Sequence, residues 1–499
     1  MLNQVKKTVR DSFIYSIGNA ANKLVGFVLL PLYTSSFSLA VYGLIALLDT
    51  ISDLLITFSS FGIIEGFTRW YWDKESEGKQ KSLFFSVFAF SLVTTLILAV
   101  VCYILLGKYS FEIFGVVITN KTILLFLGSV ITNVMLSRVL ILLRLQQKAV
   151  QNLIFNVLKL VFVLGSTVFF IVKLEWGMDS VFISRLIGQS IILIILFPTF
   201  IKNCEFKLEF GIIKSMLGYS LPLALSGSMG LIFAISDRWL LKGMTNLDMV
   251  GNYSLAYRIS NIIKLIVVRS FVQAYFYGYC KQMFNEKNYR FFSKTTTYFS
   301  YLLVMAGMVI IIFSKEIIVL LAKNPDYYGS INILPLLILS ISFSGLVQIL
   351  VFPLQKYKKS KIMSITVISA GLLNIGLNIL LIPIWGGIGA ALATAIAQFA
   401  IVITYLILNK RFGDYKYEIG KIILLFGLGT IISILAMQLG SIPLEIRIPI
   451  KLIMIGAFPF ILRLFGFYEE IELLRIKQSW QKWRNPKNWI ENIKKFNFR

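Results

Sequence analysis

Apolar stretches of about 20 residues, the length that crosses the hydrocarbon core of a bilayer, recur from one end of this chain to the other. A backbone embedded in lipid must satisfy its own hydrogen bonds, so stretches of this length fold as transmembrane helices. The composition agrees, because 57% of the 499 residues are hydrophobic and the mean hydropathy is +0.79. Polar linkers that would separate soluble domains are not visible. The sequence therefore predicts an all-α integral membrane protein.

The apolar stretches predict about fourteen transmembrane spans of roughly 20 residues each. We place these spans, numbered 1 to 14 in chain order, at 12–33, 41–64, 82–106, 116–142, 152–173, 180–200, 212–236, 249–272, 295–314, 330–353, 362–383, 386–408, 418–439 and 447–466. Span 1 follows a short polar head without a small-residue cleavage pattern. We therefore expect it to be retained and not removed as a signal peptide.

The net charge of +25 is spread unevenly over the predicted loops. With the N-terminus placed inside, 30 of the 49 lysines and arginines fall in inside segments and five in outside segments. This bias follows the positive-inside rule, so both termini are predicted to be cytoplasmic. The basic tail, 471–499, is expected either to lie on the anionic inner leaflet or to be a solvated charged end. No nucleic-acid partner is expected.

The residue inventory argues against an enzyme. The chain has no histidine and three cysteines, so a Ser–His or Cys–His catalytic pair cannot be built and the cysteine spacing fits no zinc site. The predicted loops are also too short to hold a catalytic domain. We therefore expect no catalytic residues and no resident metal.

The chain resembles itself at an offset near 208 residues. The letters VYG at 41–43 fall on MVG at 249–251, and EWG at 175–177 falls on IWG at 384–386 at an offset of 209. A repeat of six spans preserves orientation, so the halves are predicted to be related by a pseudo-two-fold axis along the membrane normal. We predict an N-terminal lobe at 1–207, a C-terminal lobe at 208–411, two added helices at 412–470 and a basic cytoplasmic tail at 471–499. The alternative is a chance likeness between glycine-rich loops that precede apolar helices.

Span 8 contains three cations, Arg258, Lys264 and Arg269, and no acidic residue. A cation at mid-bilayer costs about 2.5–3.5 kcal/mol on insertion scales, so such residues usually face a bundle interior or a watery cavity. At about 100° per residue, Arg258 and Arg269 lie within roughly 20° of one helical face, which Asn261 shares. The pattern predicts a path for an anionic group. Alternatively, Arg269 reaches the inner headgroups, and Arg258 and Lys264 pair with carboxylates on other helices.

Polar residues also gather on single faces of spans 1 and 2. Span 1 carries Asn19, Asn22 and Lys23, and span 2 carries Asp49 and Asp53 one turn apart. Because the two spans are antiparallel neighbours, Lys23 is predicted either to form a buried ion pair with Asp49 or Asp53 or to contact an anionic substrate. In the second case an aspartate is a candidate site for a coupling ion, a proton or sodium.

Other polar positions are weaker candidates. Arg69 either meets a substrate headgroup or anchors its helix among aromatic residues. Asp237 and Arg238 are predicted to form a local pair at the outer end of span 7. Asn374 and Asn378 share a face of span 11 and are expected to bind sugar or to bond between helices. The remaining cations within predicted spans that we consider are Arg138, Lys159 and Arg185.

Three segments resemble a known family: VYGLIALLDTISDLLITFSSFGIIEGFTRWYWD at 41–73, ISDRWLLKGMTNLDMVGNYSLAYRIS at 235–260 and IPIWGGIGAALATAIAQ at 382–398. They are similar to the bacterial Wzx-type flippases of O-antigen and capsule clusters. Those flippases belong to the multidrug/oligosaccharidyl-lipid/polysaccharide exporter superfamily. The resemblance extends over the whole chain and its 6+6+2 arrangement, although its motifs are loose patterns of Gly, Tyr, Asp-Arg and Arg-aromatic positions.

The resemblance implies a function and a location. It implies that undecaprenyl-pyrophosphate-linked oligosaccharide moves from the inner to the outer leaflet of the bacterial inner membrane by alternating access. For that cargo, Lys23, Arg258, Lys264 and Arg269 are the predicted pyrophosphate contacts. The polar cavity would be lined by Asn19, Asn22, Asn261, Asn374 and Asn378. The expected partners are the lipid-linked substrate, membrane lipids, and a polysaccharide polymerase with its assembly proteins.

Two other functions are weighed against the flippase. A multidrug–cation antiporter of the same superfamily would need an acidic cavity, whereas the charges within the predicted spans are mostly cationic. A membrane polymerase or ligase that acts on the same lipid carrier would be expected to have a sizeable periplasmic loop, and the sequence predicts short ones.

Overall fold

The computed structural model of the protein describes residues 26–273, 275, 289–357, 359–413, 415–474 and 478, and every regular element in these ranges is helical. The α-helices in chain order are α1 Leu30–Ser36, α2 Leu39–Ser60, α3 Ile63–Trp70, α4 Gln80–Phe114, α5 Asn120–Leu145, α6 Ala149–Val168, α7 Asp179–Lys202, α8 Phe210–Met244, α9 Leu247–Ile263, α10 Tyr289–Ile312, α11 Ser314–Leu321, α12 Ser330–Lys356, α13 Ser360–Gly413, α14 Ile419–Gln438 and α15 Leu444–Leu464.

The helices confirm an all-α, multi-pass membrane protein. Within the described ranges, nine helices are long and apolar enough to cross a bilayer. The count of fourteen and the cytoplasmic location of the termini stay predictions. Residues 12–25 of predicted span 1, with Asn19, Asn22 and Lys23, lie outside the described residues, as do 475–477 and 479–499 of the basic tail.

Several helices are interrupted at specific residues. Phe61 and Gly62 both adopt positive φ, 42° and 77°, and separate α2 from α3. Gly386 has φ 55° and ψ −127° and kinks α13 where spans 11 and 12 were predicted to meet. Because such a conformation is easily adopted by glycine only, Gly386 defines this boundary.

Two helices continue into π turns. Phe169–Lys173 follows α6, and Lys264–Val268 follows α9. A π turn inserts one extra residue and therefore rotates the residues after it by about 100° relative to an uninterrupted α-helix. The predicted common face of Arg258 and Arg269 is wrong for this reason.

The chain forms two compact units. Unit 1 comprises the described residues within Met1–Phe284 and Ser314–Asp414, and unit 2 those within Asn285–Phe313 and Tyr415–Arg499. Unit 2 has its own apolar core between α10, α14 and α15, where Met308, Leu425 and Phe458 are buried. The predicted lobe boundaries at 207, 411 and 470 stay predictions.

A charge cluster adds to unit 2. Lys294 on α10 lies 3.0 Å from Glu418, 2.7 Å from Glu469 and 3.3 Å from Glu472. Although burial alone would raise the pKa of Glu418, hydrogen bonds from Lys294, Thr297 and Lys421 hold that pKa below its usual range. The cluster joins α10 to the start of α14 and to the segment that follows α15.

Within unit 1, α2 packs along α9, and these are the helices of predicted spans 2 and 8. Both begin with a side-chain cap: the Ser38 hydroxyl accepts from the Val41 amide at 3.4 Å, and the Asn246 side chain accepts from the Met249 amide at 2.9 Å. These capping residues are themselves 208 positions apart, which agrees with the predicted repeat.

Candidate functional site

The pairing of α2 and α9 brings together an acidic and two basic side chains. Asp49 on α2 lies 2.6 Å from Nη1 of Arg185 on α7 and 3.7 Å from Nη2 of Arg258 on α9. A second nitrogen of Arg185 donates to the other Asp49 oxygen at 3.3 Å, so this contact is bidentate. Arg238 on α8 also interacts electrostatically with Asp49. We call Asp49, Arg185, Arg238 and Arg258 the arginine cluster.

The arginine cluster is cationic and accessible. Two guanidinium groups contact one carboxylate and the third, that of Arg238, interacts with it electrostatically. The side chains of Arg185, Arg258 and Asp49 keep 27%, 26% and 29% of their surface exposed. Asp53, one turn beyond Asp49, also interacts electrostatically with Arg185, and the three guanidiniums still outnumber the two carboxylates. Charged side chains at membrane depth that stay partly exposed are typical of a polar cavity. The cluster can therefore receive an anionic group.

Arg258 is held from three directions. Besides Asp49, it donates from Nη1 to the Gly26 carbonyl at 3.3 Å, and its guanidinium lies 5.5 Å from the centre of the buried Tyr42 ring. The sequence left open whether Arg258 pairs with a carboxylate on another helix, and the structure shows that it does. Lys23, predicted to pair with Asp49 or Asp53 or to contact the substrate, lies outside the described residues.

Arg185 and Arg238 are more central than the sequence suggested. Arg185 was a weaker candidate, yet it makes the shortest contact to Asp49. The guanidinium of Arg238 lies 4.7 Å from the Tyr257 ring centre, and its buried Nε has no hydrogen-bond partner. Such a buried donor normally requires an acceptor, so Arg238 has unused capacity to bind one.

Asp237 does not pair with Arg238, and that prediction is wrong. Adjacent residues on a helix point about 100° apart and do not face each other. Asp237 is instead buried and accepts hydrogen bonds from the Tyr253 hydroxyl at 2.6 Å, the Asn378 amide at 2.7 Å and the Thr394 hydroxyl at 2.7 Å. The sequence signal that could have found this was the polar pair on span 11.

The Asp237 network connects three helices. Asp237 lies on α8, Tyr253 on α9, and Asn378 and Thr394 on the two sides of the Gly386 kink in α13. Asn374 accepts from the Asn378 amide at 3.2 Å within α13 and from the Ser236 hydroxyl on α8 at 3.5 Å. Both asparagines thus bond between helices, one of the two predicted roles. Among the described residues, no lysine or arginine nitrogen lies within 4.0 Å of Asp237, so the network contains a buried carboxylate with neutral donors only.

The other predicted site residues lie apart from the arginine cluster or bond locally. Asn261 donates to the Tyr257 carbonyl at 2.8 Å, a bond within its own helix. Lys264 is partly buried at the start of the π turn, and Arg269 is exposed beyond it. The roles proposed for these residues stay predictions.

Arg69 and Arg138 occupy other parts of unit 1. Arg69 stacks 4.4 Å from the ring centre of Tyr219 on α8 and 4.8 Å from that of Trp70, a geometry that fits the anchor interpretation. Arg138 is buried and donates to the Ser91 hydroxyl at 2.9 Å. No group of three or more His, Cys, Asp or Glu side chains that could hold a metal ion occurs in the described part of the chain.

The fold is similar to that of solved transporters. The lipid II flippase MurJ in an inward closed conformation has a TM-score of 0.71 and 18% identity, with 91% of this chain and 99% of that chain covered. An inward-facing multidrug resistance MATE family transporter of the MOP superfamily has a TM-score of 0.60 and 14% identity, with coverage of 79% and 94%. A mutant of the Vibrio cholerae MATE transporter VcmN has a TM-score of 0.53 and 16% identity, with coverage of 82% and 98%.

At such low identities these likenesses show the fold alone, which is the one predicted. No curated protein sequence matches the chain significantly. The model of the family described as polysaccharide biosynthesis protein matches residues 8–276, more than half of the chain. With the helical membrane fold described above, this match shows that the chain belongs to the polysaccharide biosynthesis protein family.

Proposed function

We propose that the protein is a flippase that moves undecaprenyl-pyrophosphate-linked oligosaccharide from the cytoplasmic to the periplasmic leaflet of the bacterial inner membrane by alternating access. The observation that carries this proposal is the arginine cluster, an accessible group of three guanidiniums around one carboxylate. Family membership and the flippase and transporter folds of its structural neighbours support it.

The arginine cluster suits a pyrophosphate group. Arginine presents a planar fork of donors that binds phosphate oxygens in pairs, and such charge-assisted bonds are the strong ones. In the absence of a substrate, the Asp49 carboxylate accepts from some of these arginine donors. An arriving pyrophosphate would exchange with Asp49 for Arg185 and Arg258, so no guanidinium is left without an acceptor before binding or after release.

Ion coupling is assigned to the Asp237 network in this proposal. Asp49, the coupling site predicted from the sequence together with Asp53, already pairs with two arginines, which disfavours the binding of a further cation. Asp237 is surrounded by hydroxyl and amide groups whose oxygens, with the carboxylate, are ligands of the kind that a small hard cation prefers. A proton or sodium ion could neutralise it there.

The flippase proposal is tested by transport of a lipid-linked oligosaccharide in proteoliposomes. We expect Arg258→Ala and Arg185→Ala each to lower the transport rate at least about tenfold, equivalent to about 1.4 kcal/mol. Lys108→Ala, which removes an exposed cation from the end of α4, is the control and should transport at the wild-type rate. If both arginine variants match the control, the arginine cluster is not the pyrophosphate site.

The antiporter alternative is disfavoured by the same charges. A cationic drug would be repelled by a site where guanidiniums outnumber carboxylates. If the protein lowered the accumulation of cationic drugs in cells but left lipid-linked oligosaccharide on the inner leaflet, the antiporter would replace the flippase. A polysaccharide polymerase and assembly proteins are the partners proposed for the flippase.

A further inference from the structure

Helices α2 and α9 touch backbone to backbone at a pair of glycines. A Cβ atom on Gly43 would lie 2.1 Å from the carbonyl oxygen of Leu247, and one on Gly251 would lie 2.5 Å from the carbonyl oxygen of Leu39. Real Cβ atoms do not approach other atoms within 3.0 Å. Neither position therefore accepts any side chain while the helices stay together. We call this contact the glycine crossing.

The glycine crossing is reciprocal. Gly43 meets Leu247 while Gly251 meets Leu39, and each residue of one helix lies 208 positions from its counterpart in the other. A contact in which the same two positions exchange roles is the signature of a two-fold axis that passes between them. The pseudo-two-fold axis of the repeat thus runs through the glycine crossing.

The glycine crossing also lies on the helices that carry the arginine cluster. Asp49 follows Gly43 by six residues and Arg258 follows Gly251 by seven, which places the cluster about 9–10.5 Å deeper along the helices at 1.5 Å per residue. The loop charges predict that the crossing is nearer the periplasm. A cargo held by the arginines would lie on the cytoplasmic side of it.

A short turn covers the outer side of the glycine crossing. The Tyr327 hydroxyl, in the 3₁₀ turn Pro325–Gly329, donates to the Phe37 carbonyl at 3.0 Å, just before α2 begins. Its ring also meets the Tyr42 ring edge to face at 5.7 Å. The same turn lies beside α9, because a Cβ on Gly329 would lie 2.9 Å from the Asn252 amide. Both crossing helices are thereby tied together at this end.

We infer that the glycine crossing is the periplasmic seal of the transport path and that it must part in each cycle. Backbone contact leaves no gap at the crossing for a phosphate or a sugar, so a cargo at the arginine cluster leaves outward only after α2 and α9 separate. That a cargo passes the crossing by alternating access, and which cargo it is, both rest on the proposed function. The seal itself rests on the contacts and on the predicted orientation.

Glycine makes this seal sensitive to a single methyl group. An alanine at 43 or 251 would have to push a backbone carbonyl away, because no flexible side-chain end is there to move aside. The substitution penalises the closed crossing and leaves the parted one unaffected. It should therefore shift the population toward the parted state.

The test measures the crossing directly by electron paramagnetic resonance. Spin labels are placed on Ala40→Cys and Asp248→Cys, repeat-related positions at the starts of α2 and α9, with Cys102, Cys204 and Cys280 replaced. In liposomes without substrate, we expect Gly43→Ala or Gly251→Ala to raise the ratio of long to short inter-label distances about tenfold, equivalent to about 1.4 kcal/mol. This readout needs no cargo, so its failure and that of the flippase proposal can be told apart.

Two controls separate the seal from general damage. In Gly188→Ala the new Cβ would lie 2.5 Å from Val163 between α6 and α7, so the crowding is comparable but lies away from the crossing, whereas in Gly107→Ala it meets nothing within 4 Å. Both should keep the wild-type distances. If Gly43→Ala or Gly251→Ala inserts and also keeps them, the seal is refuted.

A second measurement serves if the alanine variants do not fold. With both glycines intact, a cysteine at the buried Ala46, one turn deeper than Gly43, should react slowly with a membrane-impermeant maleimide from the periplasmic side. A pair of cysteines at 40 and 248 joined by a short bifunctional reagent should abolish that reaction. Equal labelling with and without the crosslink would overturn the inference.

Discussion

At the scale of single residues, Asp49 decides how strongly the arginine cluster holds an anion. Its carboxylate pairs with Arg185 and Arg258 and so competes with any phosphate for the same donors. We expect Asp49→Asn to bind undecaprenyl pyrophosphate about tenfold more tightly, a gain of about 1.4 kcal/mol, while transport slows because release becomes harder. Equilibrium binding to the detergent-solubilised protein, with transport rates in liposomes, measures both effects.

The matched control is Asp179→Asn. Asp179 also forms an ion pair, at 3.1 Å from Lys121, but outside the arginine cluster, so its loss should leave pyrophosphate affinity unchanged. Weaker binding by Asp49→Asn would contradict the competition between Asp49 and phosphate. It would indicate instead that the carboxylate only positions the arginines.

At the scale of helices, the charge cluster of unit 2 predicts a pH dependence of stability. Glu418 and Glu472 have pKa values held below the usual range, in part by hydrogen bonds from Lys294, although burial alone would raise them. Carboxyls with depressed folded-state pKa values stabilise the fold above the unfolded value of about 4.3 and lose that contribution as the pH falls through the folded-state pKa. Thermal unfolding at pH 7 and at lower pH follows this loss.

The Lys294→Met variant tests the origin of that pH dependence. We expect it to destabilise unit 2 by about 1–3 kcal/mol at pH 7, and the difference from wild type should shrink on acidification as the glutamates become neutral. Lys207→Met breaks a single ion pair of an exposed lysine with Glu209, at 3.5 Å, and should have little effect. A Lys294→Met deficit that is the same at every pH would assign the loss to packing.

The helices also show what a single sequence can predict. The boundary between spans 11 and 12 was predicted at 383–386, where the structure has the Gly386 kink, and the repeat-related starts of α2 and α9 were visible as an offset. The π turn at Lys264–Val268 was not predicted, because its residues, KLIVV, are equally compatible with a regular α-helix. That one extra residue is enough to separate Arg269 from the face of Arg258.

For the candidate site, the sequence identified a cation that is costly to place in a membrane span but not the residues that pair with it. Arg258 stood out because an unpaired cation in a span is expensive. Its carboxylate partner and the adjacent Arg185 come from helices far away in the chain, and tertiary contacts of that kind leave no local pattern. Arg238 was missed because the adjacent Asp237 was taken as its partner. Side chains of adjacent residues on a helix point about 100° apart, so the two do not pair.

At the scale of the whole molecule, the Asp237 network links a candidate ion site to the helix that carries the cargo arginine. Tyr253, which donates to Asp237, lies on α9 five residues before Arg258 and two after Gly251. Neutralising Asp237 would weaken the hold of α8 and α13 on α9, and α9 takes part in both the arginine cluster and the glycine crossing. Ion binding and cargo movement are therefore expected to share one helix.

This link predicts that two variants respond differently to ion gradients. Asp237→Asn should make the rate of transport independent of proton and sodium gradients, because the titratable or cation-binding group is gone. Tyr253→Phe keeps the carboxylate but cuts its bond to α9, so it should still respond to a gradient, with a weaker acceleration. Transport rates in proteoliposomes, with each gradient imposed or dissipated, distinguish the two ions. Asp53→Asn, which removes an aspartate from α2 instead of α8, is the control variant. If Asp53→Asn loses the gradient response while Asp237→Asn retains it, coupling belongs to α2, as the sequence first suggested.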